Sequence, residues 1–366
     1  MNTNNKKTIC VIGLGWASTG FLKNIDTKKY NVHVISKNSS FLYTPLLAQN
    51  IKNNRNLELE IDDINNNINY TKDEVIDIDF KNNIIYTKNN NSKICYDFLI
   101  FSHGADTNTF NIQGVNENCY FLKLNEDADI IRKKLILLPK FSNIVVIGCG
   151  LTGSEVIGTL IDYSKFNIYA IDALQRPLNI FDEKLSIQAI KLWSKNNVNT
   201  FFGYSVSLID KNTIQFKNNS KSINYDMVLW CGGIKMSQFS IDMQKKLKLS
   251  CTKGIPVDLS LKVNDQKNIW AIGDCAYSGH APTAQVAFQQ GKYLAGQFNS
   301  EFKNANYFKY IHKGQICYIG DKKSVYQNSF FKTGGNITYY LNNFIHLYNS
   351  VNIKQSFELF NIKNTK

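Results

Sequence analysis

Ile144-Val145-Val146-Ile147-Gly148-Cys149-Gly150-Leu151-Thr152-Gly153-Ser154-Glu155-Val156-Ile157-Gly158 decides the fold. Four β-branched apolar residues run into G-x-G-x-x-G, and a helical pattern follows. That order predicts a buried strand, a tight turn and a helix. Gly148 permits the turn, and Gly150 lets a pyrophosphate approach the backbone at the helix N-terminus. Gly153 allows the helix to pack closely on the strand. Asn167 to Ile171 predicts the next strand, ending at Asp172, 24 residues after Gly148. A carboxylate there suits an adenosine ribose diol and favours NADH over its 2′-phosphorylated form. Arg176, four residues on, keeps some tolerance of NADPH open.

The same punctuation occurs nearer the N-terminus. Ile9-Cys10-Val11-Ile12 leads into Gly13-Leu14-Gly15-Trp16-Ala17-Ser18, with Ser18 at the third small position. A helix is expected through Ser18 to Asn24 and a strand over Val32 to Ile35. That strand ends in Ser36-Lys37, where the simple fingerprint has an acid. Two such patterns imply two dinucleotides, most economically FAD and NADH. Further buried strands are expected over Tyr96 to Phe101, before Ser102-His103-Gly104, and over Met227 to Trp230, before Cys231-Gly232-Gly233. Both small-residue turns would let backbone approach a cofactor. His103 reads as a packed residue, since no carboxylate partner is evident. Residues 50 to 95 read as a small β-meander. Phe41 to Leu47 reads as an irregular loop interrupted by Pro45.

The 366 residues suffice for two or three domains. A net charge of +13 favours anionic partners, or marks a Lys-rich solvated surface. No basic cluster is interleaved with aromatics, which argues against nucleic acid. None of the eight cysteines forms a CxxC pair or a Cys/His set with zinc spacing, so no metal is expected. No apolar run reaches the roughly 20 residues of a membrane span. Met1 to Lys7 lacks the character of a signal or transit peptide.

The order of motifs resembles that of type II NADH dehydrogenases, single-subunit NADH:quinone oxidoreductases that do not pump protons. The mitochondrial, rotenone-insensitive branch is most similar. Phe21 to Val32, Phe41-Leu42-Tyr43-Thr44-Pro45-Leu46-Leu47, Asn108 to Val115, Gly148 to Glu155 and Ala271 to Cys275 carry the resemblance. Its most specific stretch is Pro282-Thr283-Ala284-Gln285-Val286-Ala287-Phe288-Gln289-Gln290. The resemblance covers roughly residues 7 to 350, and the serine at Ser36 is part of it.

It implies an α/β fold with two Rossmann-like dinucleotide-binding domains of the glutathione-reductase type. The FAD domain would span 1–117 and 239–300, the NADH domain 118–238, and an amphipathic C-terminal region 301–366. Gly13, Gly15, Ser18, Ser36, Thr44, Gly104 and Asp274 would line FAD. Gly148, Gly150, Gly153, Asp172 and Gly233 would surround NADH. Glu155 matches a carboxylate near nicotinamide and quinone, with a structural alternative at its helix start. Ala284 and Gln285 match the quinone-site pair. An amide both donates and accepts, which suits a quinone head group; the alternative is that Gln285 and Gln289 brace loops.

Ile337, Tyr340, Leu341, Phe344, Tyr348 and Val351 fall at helical spacing, with Asn342, Asn343, His346 and Asn349 opposite. That amphipathic helix would lie in a membrane interface and receive a ubiquinone-like quinone, or pack on the protein or a second copy. A second, shorter helix is expected near Ile353 to Phe360. By resemblance the protein would be peripheral to the mitochondrial inner membrane; without a clear targeting sequence, the cytoplasmic face of another membrane is the alternative. The rival readings are an apoptosis-inducing-factor-like or ferredoxin-reductase-like enzyme, and a catalytically degenerate flavin redox sensor. Disulfide reductases and sulfide:quinone oxidoreductases are disfavoured, because no cysteine pair accompanies the flavin motifs.

Overall fold

The structure is a computed structural model that describes residues 6–89, 93–217, 219–303 and 306–348. In chain order, the first half contributes β1 (Lys7–Ile12), α1 (Trp16–Leu22), β2 (Tyr30–Ser36), β3 (Asn69–Lys72), β4 (Phe98–Phe101), β5 (Cys119–Phe121), β6 (Asn143–Ile147) and α2 (Leu151–Ile161). The second half contributes β7 (Asn167–Asp172), β8 (Asn199–Phe202), β9 (Met227–Trp230), β10 (Ile269–Ala271), α3 (Ala284–Asn299), β11 (Gln315–Gly320), β12 (Lys323–Gln327), β13 (Lys332–Gly335) and α4 (Asn336–Tyr348). Two compact units divide the chain. One comprises Met1–Leu42, Glu58–Asp106 and Ile234–Ile311; the other comprises Tyr43–Leu57, Thr107–Gly233 and His312–Lys366.

The first unit is built on five parallel strands in the order β10-β4-β1-β2-β3. Its central strands are buried on both faces, as parallel sheets require: Ile9, Cys10, Val11, Val34, Ile35, Leu99, Ile100 and Phe101 are all enclosed. The chain leaves β1 for β2 on one side, while β4 flanks β1 on the other. The carboxyl end of β1 is therefore a topological switch point, where such sheets open a ligand crevice. Helix α3 seats on this sheet through Phe298, whose ring meets Phe21, Tyr30, Phe98 and Trp270 at 5.1 to 5.8 Å. Its C-terminal end is pinned by Asn299, which accepts from the Asp26 N–H at 2.8 Å and donates to the Asn24 carbonyl at 2.8 Å.

The second unit repeats the plan with parallel strands in the order β5-β9-β6-β7-β8. Its switch point is the carboxyl end of β6. Helix α2 packs on β11, the first strand of an antiparallel hairpin sheet β11-β12-β13, and α4 packs on β12 and β13. The expected C-terminal region is divided. Residues up to Ile311 run with the first unit, where the Phe308 N–H donates to the Leu259 carbonyl at 2.9 Å; residues from His312 run with the second.

Boundaries shift in physically readable ways. Helix α1 begins at Trp16, two residues before the expected start, because the turn after Gly15 closes at once. Pro45 does not interrupt the 41–47 stretch. It sits at the start of a short 3₁₀ turn, Thr44–Leu46, that runs on into the helix Leu47–Asn53. Proline is accommodated in a first turn, where its missing N–H has no partner to lose. Val351, Asn349 and the expected helix near Ile353 to Phe360 lie outside the described residues.

Candidate functional site

The two glycine loops are near copies of one another. In the first unit Gly13 has φ +103°, and a Cβ there would lie 2.6 Å from the Ser102 carbonyl oxygen at the end of β4. In the second unit Gly148 has φ +91°, and a Cβ would lie 2.8 Å from the Cys231 backbone at the end of β9. Each first glycine is thus required twice, by its left-handed backbone and by the neighbouring strand. The second glycines differ. A Cβ at Gly15 or Gly150 would meet nothing within 4 Å, so backbone is open at each mouth. This is the opening a dinucleotide phosphate needs, and the residues present fit that group.

Ser18 takes the third small position through its hydroxyl, which accepts from the Gly15 N–H at 2.8 Å and donates to the Gly15 carbonyl at 3.0 Å. The loop is closed by a hydrogen bond in place of the close packing at Gly153. Gly104 has φ +75° and is likewise open, beyond β4. Ser36 ends β2, and its Oγ accepts from the Asn38 N–H at 3.3 Å. Thr44 belongs to the second unit, where it opens the short 3₁₀ turn Thr44–Leu46.

Asp274 follows β10 in a single 3₁₀ turn, Gly273–Cys275. It lines a cavity of about 340 Å³ with Ala105, Tyr277, His280, Val286 and Gln290. Helix α3 starts at the same cavity. Its N-cap is Thr283, whose Oγ1 accepts from the Val286 N–H at 3.2 Å. The positive end of a 16-residue helix and a carboxylate therefore share one cavity wall.

The three glutamines of α3 separate into different tasks. Gln290 is buried; its Oε1 accepts from the Gly273 N–H at 2.7 Å and its Nε2 donates to Ser278 Oγ at 2.8 Å. It braces the Asp274 turn. Gln289 makes a two-way bond with the Ile311 backbone, at 2.9 and 3.0 Å. Gln285 is half-buried, and its Oε1 accepts from the Tyr310 hydroxyl at 2.9 Å. Ala284 is the first residue of α3, beside Gln285. Tyr310 and the bracing role of Gln290 were not legible in the sequence. The close approach of α1 to α3 had a faint signal, two glycines inside helical patterns. A Cβ on Gly20 would lie 2.3 Å from the Phe288 carbonyl, and one on Gly291 would lie 1.9 Å from that of Ala17.

In the second unit Asp172 ends β7. Its Oδ2 accepts from the Cys149 N–H at 2.6 Å and its Oδ1 from the Leu174 N–H at 2.8 Å. The carboxylate therefore holds the glycine loop. Gly233, with φ +61°, follows β9, and its carbonyl accepts from the Asn108 N–H at 3.2 Å. Arg176 is spent on the Leu178, Asn179 and Phe181 carbonyls and on Ser186. Glu155 lies in the first turns of α2. The residue is half-buried but its carboxyl is enclosed, and burial pushes its pKa up to about 8 against a bond from the Tyr318 N–H.

All eight cysteines are free. Burial pushes the Cys231 and Cys275 thiols up to about 12, so they remain protonated at neutral pH. His103 is half-buried, with its ring against Phe101 and Phe239, and its Nε2 bonds Ser240 Oγ at 2.7 Å. Burial lowers its pKa to about 4, leaving it neutral. Among the described residues no group of three or more His, Cys, Asp or Glu is placed to hold a metal, and no helix is long and apolar enough to cross a membrane.

A family model described as pyridine nucleotide-disulphide oxidoreductase matches residues 7–291. External NADH-ubiquinone oxidoreductase 2, mitochondrial, of Saccharomyces cerevisiae is 28% identical over 399 residues, covering 88% of this chain and 73% of that one. A probable NADH dehydrogenase of Dictyostelium discoideum is 30% identical over 378 residues, covering 90% and 82%. The solved structure of NDH2 from Plasmodium falciparum in complex with NADH shares the fold, with a TM-score of 0.90, 24% identity and 97% of each chain covered. The duplicated loops, the free buried thiols and these relatives agree: the chain belongs to the pyridine nucleotide-disulphide oxidoreductase family, on its type II NADH dehydrogenase branch.

Proposed function

We propose that the protein is an FAD-dependent NADH:quinone oxidoreductase that oxidises NADH and reduces a ubiquinone-like quinone by two electrons. One observation carries the reading: a single chain holds two dinucleotide loops, each at a sheet switch point and each with an open second glycine. FAD, when bound, supplies the carrier chemistry, taking a hydride at N5 and releasing an electron pair to the quinone. The protein's part is binding, orientation and protons.

The Gly13–Ser18 loop, Ser36 and Gly104 would hold FAD in the first unit. Asp274 would accept from ribityl hydroxyls, and the α3 N-terminus would favour negative charge on the reduced ring. The Gly148–Gly153 loop, Asp172 and Gly233 would hold NADH. Asp172 would orient the ribose while fixing the loop. Gln285 would meet the quinone head group from the start of α3, beside Ala284. Glu155, held protonated by burial, is suited to hold or pass a proton. Cys275, the thiol beside Asp274, is buried and protonated, which favours this reading over thiol-based relatives of the same fold.

Helix α4 turns Ile337, Tyr340, Phe344 and Tyr348 outward, each more than 60% exposed. We assign that face to a membrane surface carrying the quinone, in a mitochondrion as the names of the relatives suggest, in preference to a second copy of the chain.

The test is direct. The purified protein should show a flavin spectrum, bleach with NADH and turn over on a short-chain quinone. Absence of flavin, or bleaching without quinone-stimulated turnover, would overturn the proposal. Asp172→Ala should raise the NADH KM about tenfold or more, for the loss of one or two charge-assisted hydrogen bonds. An unchanged KM would remove the ribose role.

A further inference from the structure

Helix α4 is inside out for a soluble protein. Its apolar residues face outward, and the side it buries is Thr338, Asn342 and His346, at 1%, 0% and 5% exposure. Apart from His346 Nδ1, the polar side-chain atoms of that buried stripe have no hydrogen-bond partner. The orphans are Thr338 Oγ1, both Asn342 amide atoms and His346 Nε2. Ser324, fully buried on β12, carries another orphaned hydroxyl. It pairs in register with Tyr318, whose ring meets Tyr339 of α4 at 5.6 Å, so Ser324 lies on the face of the hairpin sheet turned to α4. Each buried orphan costs on the order of 1–3 kcal/mol unless something bonds it. A stripe of them on one helix face is a site for water.

The geometry gives the stripe a direction. Thr338 lies within one turn of the exposed helix start, Asn336 and Ile337. Residues four apart rise about 6 Å along a helix. Side chains at that spacing can bond directly, but the Thr338, Asn342 and His346 Nε2 atoms do not reach one another, and one water between neighbours would bridge them with two bonds of about 2.8 Å. At the far end, His346 Nδ1 lies 3.2 Å from the hydroxyl of Tyr43, which is itself buried and precedes Thr44. Near His346 the charged or titratable groups are Tyr43 and Arg55. On the hairpin side they are Tyr326 and Tyr318, the latter donating to Asp162 at 2.6 Å.

We propose that this buried edge of α4 is a hydrated proton path, in which water bridges Thr338, Asn342 and His346 and leads to Tyr43. The inference rests on the NADH:quinone reading and deepens it. NADH + H⁺ + quinone gives NAD⁺ + quinol. The hydride carries two electrons and one proton, and the second proton must come from solvent. The stripe supplies that proton from the α4 N-terminus, entering His346 at Nε2 and leaving at Nδ1 towards the Tyr43 hydroxyl. Burial keeps His346 neutral at pH 7, with its pKa lowered to about 4, so the ring passes a proton without storing charge.

Two measurements test it. In protein labelled with ¹⁵N at asparagine and histidine, the Asn342 amide and His346 ring protons should exchange with water far faster than the α2 backbone amides. Slow exchange, or no water cross-peaks at either, would overturn the path without any turnover. In the FAD-loaded enzyme, Asn342→Leu and His346→Phe should lower quinone-dependent turnover about a hundredfold, the low end for a lost proton-transfer group, and enlarge the solvent deuterium effect. NADH-driven ferricyanide reduction, which delivers no proton to the acceptor, should be unchanged. Thr338→Val, which keeps shape, should show the same pattern if Asn342→Leu folds poorly. Equal loss with both acceptors, or no change with either, would overturn the proposal. A wild-type protein that reduces ferricyanide but not quinone would instead overturn the quinone reading, whatever the exchange data show.

Discussion

At the scale of residues, similar chemical groups are put to different uses by their surroundings. The carboxyl of Glu155 is enclosed and favours its neutral form, with its pKa raised to about 8, whereas Asp172 accepts two backbone N–H bonds. The raised value has a defined sign. Between the unfolded carboxyl value near 4.5 and about 8, the native state holds a proton that the unfolded chain releases. Stability is therefore lost as pH rises through that window. Glu155→Gln, close in shape to the neutral acid, should match wild type at pH 5 and exceed it at pH 8.5. The full shift would give more than 4 kcal/mol; discounted for the half-exposed residue, about 1–2 kcal/mol is expected in urea unfolding. A constant difference between the two proteins across pH would remove the assignment. The Tyr310 hydroxyl donates to Gln285 Oε1 at 2.9 Å and helps set the orientation of that amide. Tyr310→Phe should raise the quinone KM about fivefold, the worth of about 1 kcal/mol, with the NADH KM unchanged. Rotation of the Gln285 amide to new partners is the physical cause. A matching rise in both KM values would indicate a structural role.

At the scale of elements, the most legible features were those governed by local chemistry. Both strand–turn–helix units were readable because β-branched runs and positive-φ glycines act within a few residues. The division of labour along α3 was not readable. Gln285, Gln289 and Gln290 look equivalent in sequence, and only their partners Tyr310, Ile311 and Gly273 separate them. These partners lie 17 to 25 residues away, beyond any local pattern. The period of α4 was visible, but not which face it buries. Periodicity reports that two faces differ, and the neighbours decide which one turns inward. Lysine at both Ile337 and Phe344, 87% and 62% exposed, should leave the melting temperature nearly unchanged. It should weaken binding to neutral phosphatidylcholine vesicles about tenfold or more, through loss of two apolar insertions. A drop in melting temperature with no change in vesicle binding would show that this face packs against protein.

At the scale of the whole molecule, net charge and apolar surface give separable contributions to membrane attraction. A charge of +13 predicts that binding to vesicles containing anionic lipid falls steeply between about 50 and 300 mM salt, as the Debye length shortens. The apolar contribution from α4 should persist at high salt. Binding insensitive to salt would assign the positive charge to a solvated surface. The family and the two-loop plan were within reach of the sequence, because a glycine loop between strand and helix is a local necessity of dinucleotide binding. What lay beyond it was long-range: the strand orders that put each loop at a switch point, and the split of the C-terminal segment at Ile311 and His312. The polar edge buried under α4 belongs with these. Sequence by itself determined which residues can turn, pair or carry charge, since φ, side-chain volume and ionisation are properties of single residues. The tertiary structure alone decided which were enclosed, because desolvation of Glu155, Asn342 and His346 comes from atoms distant in the chain.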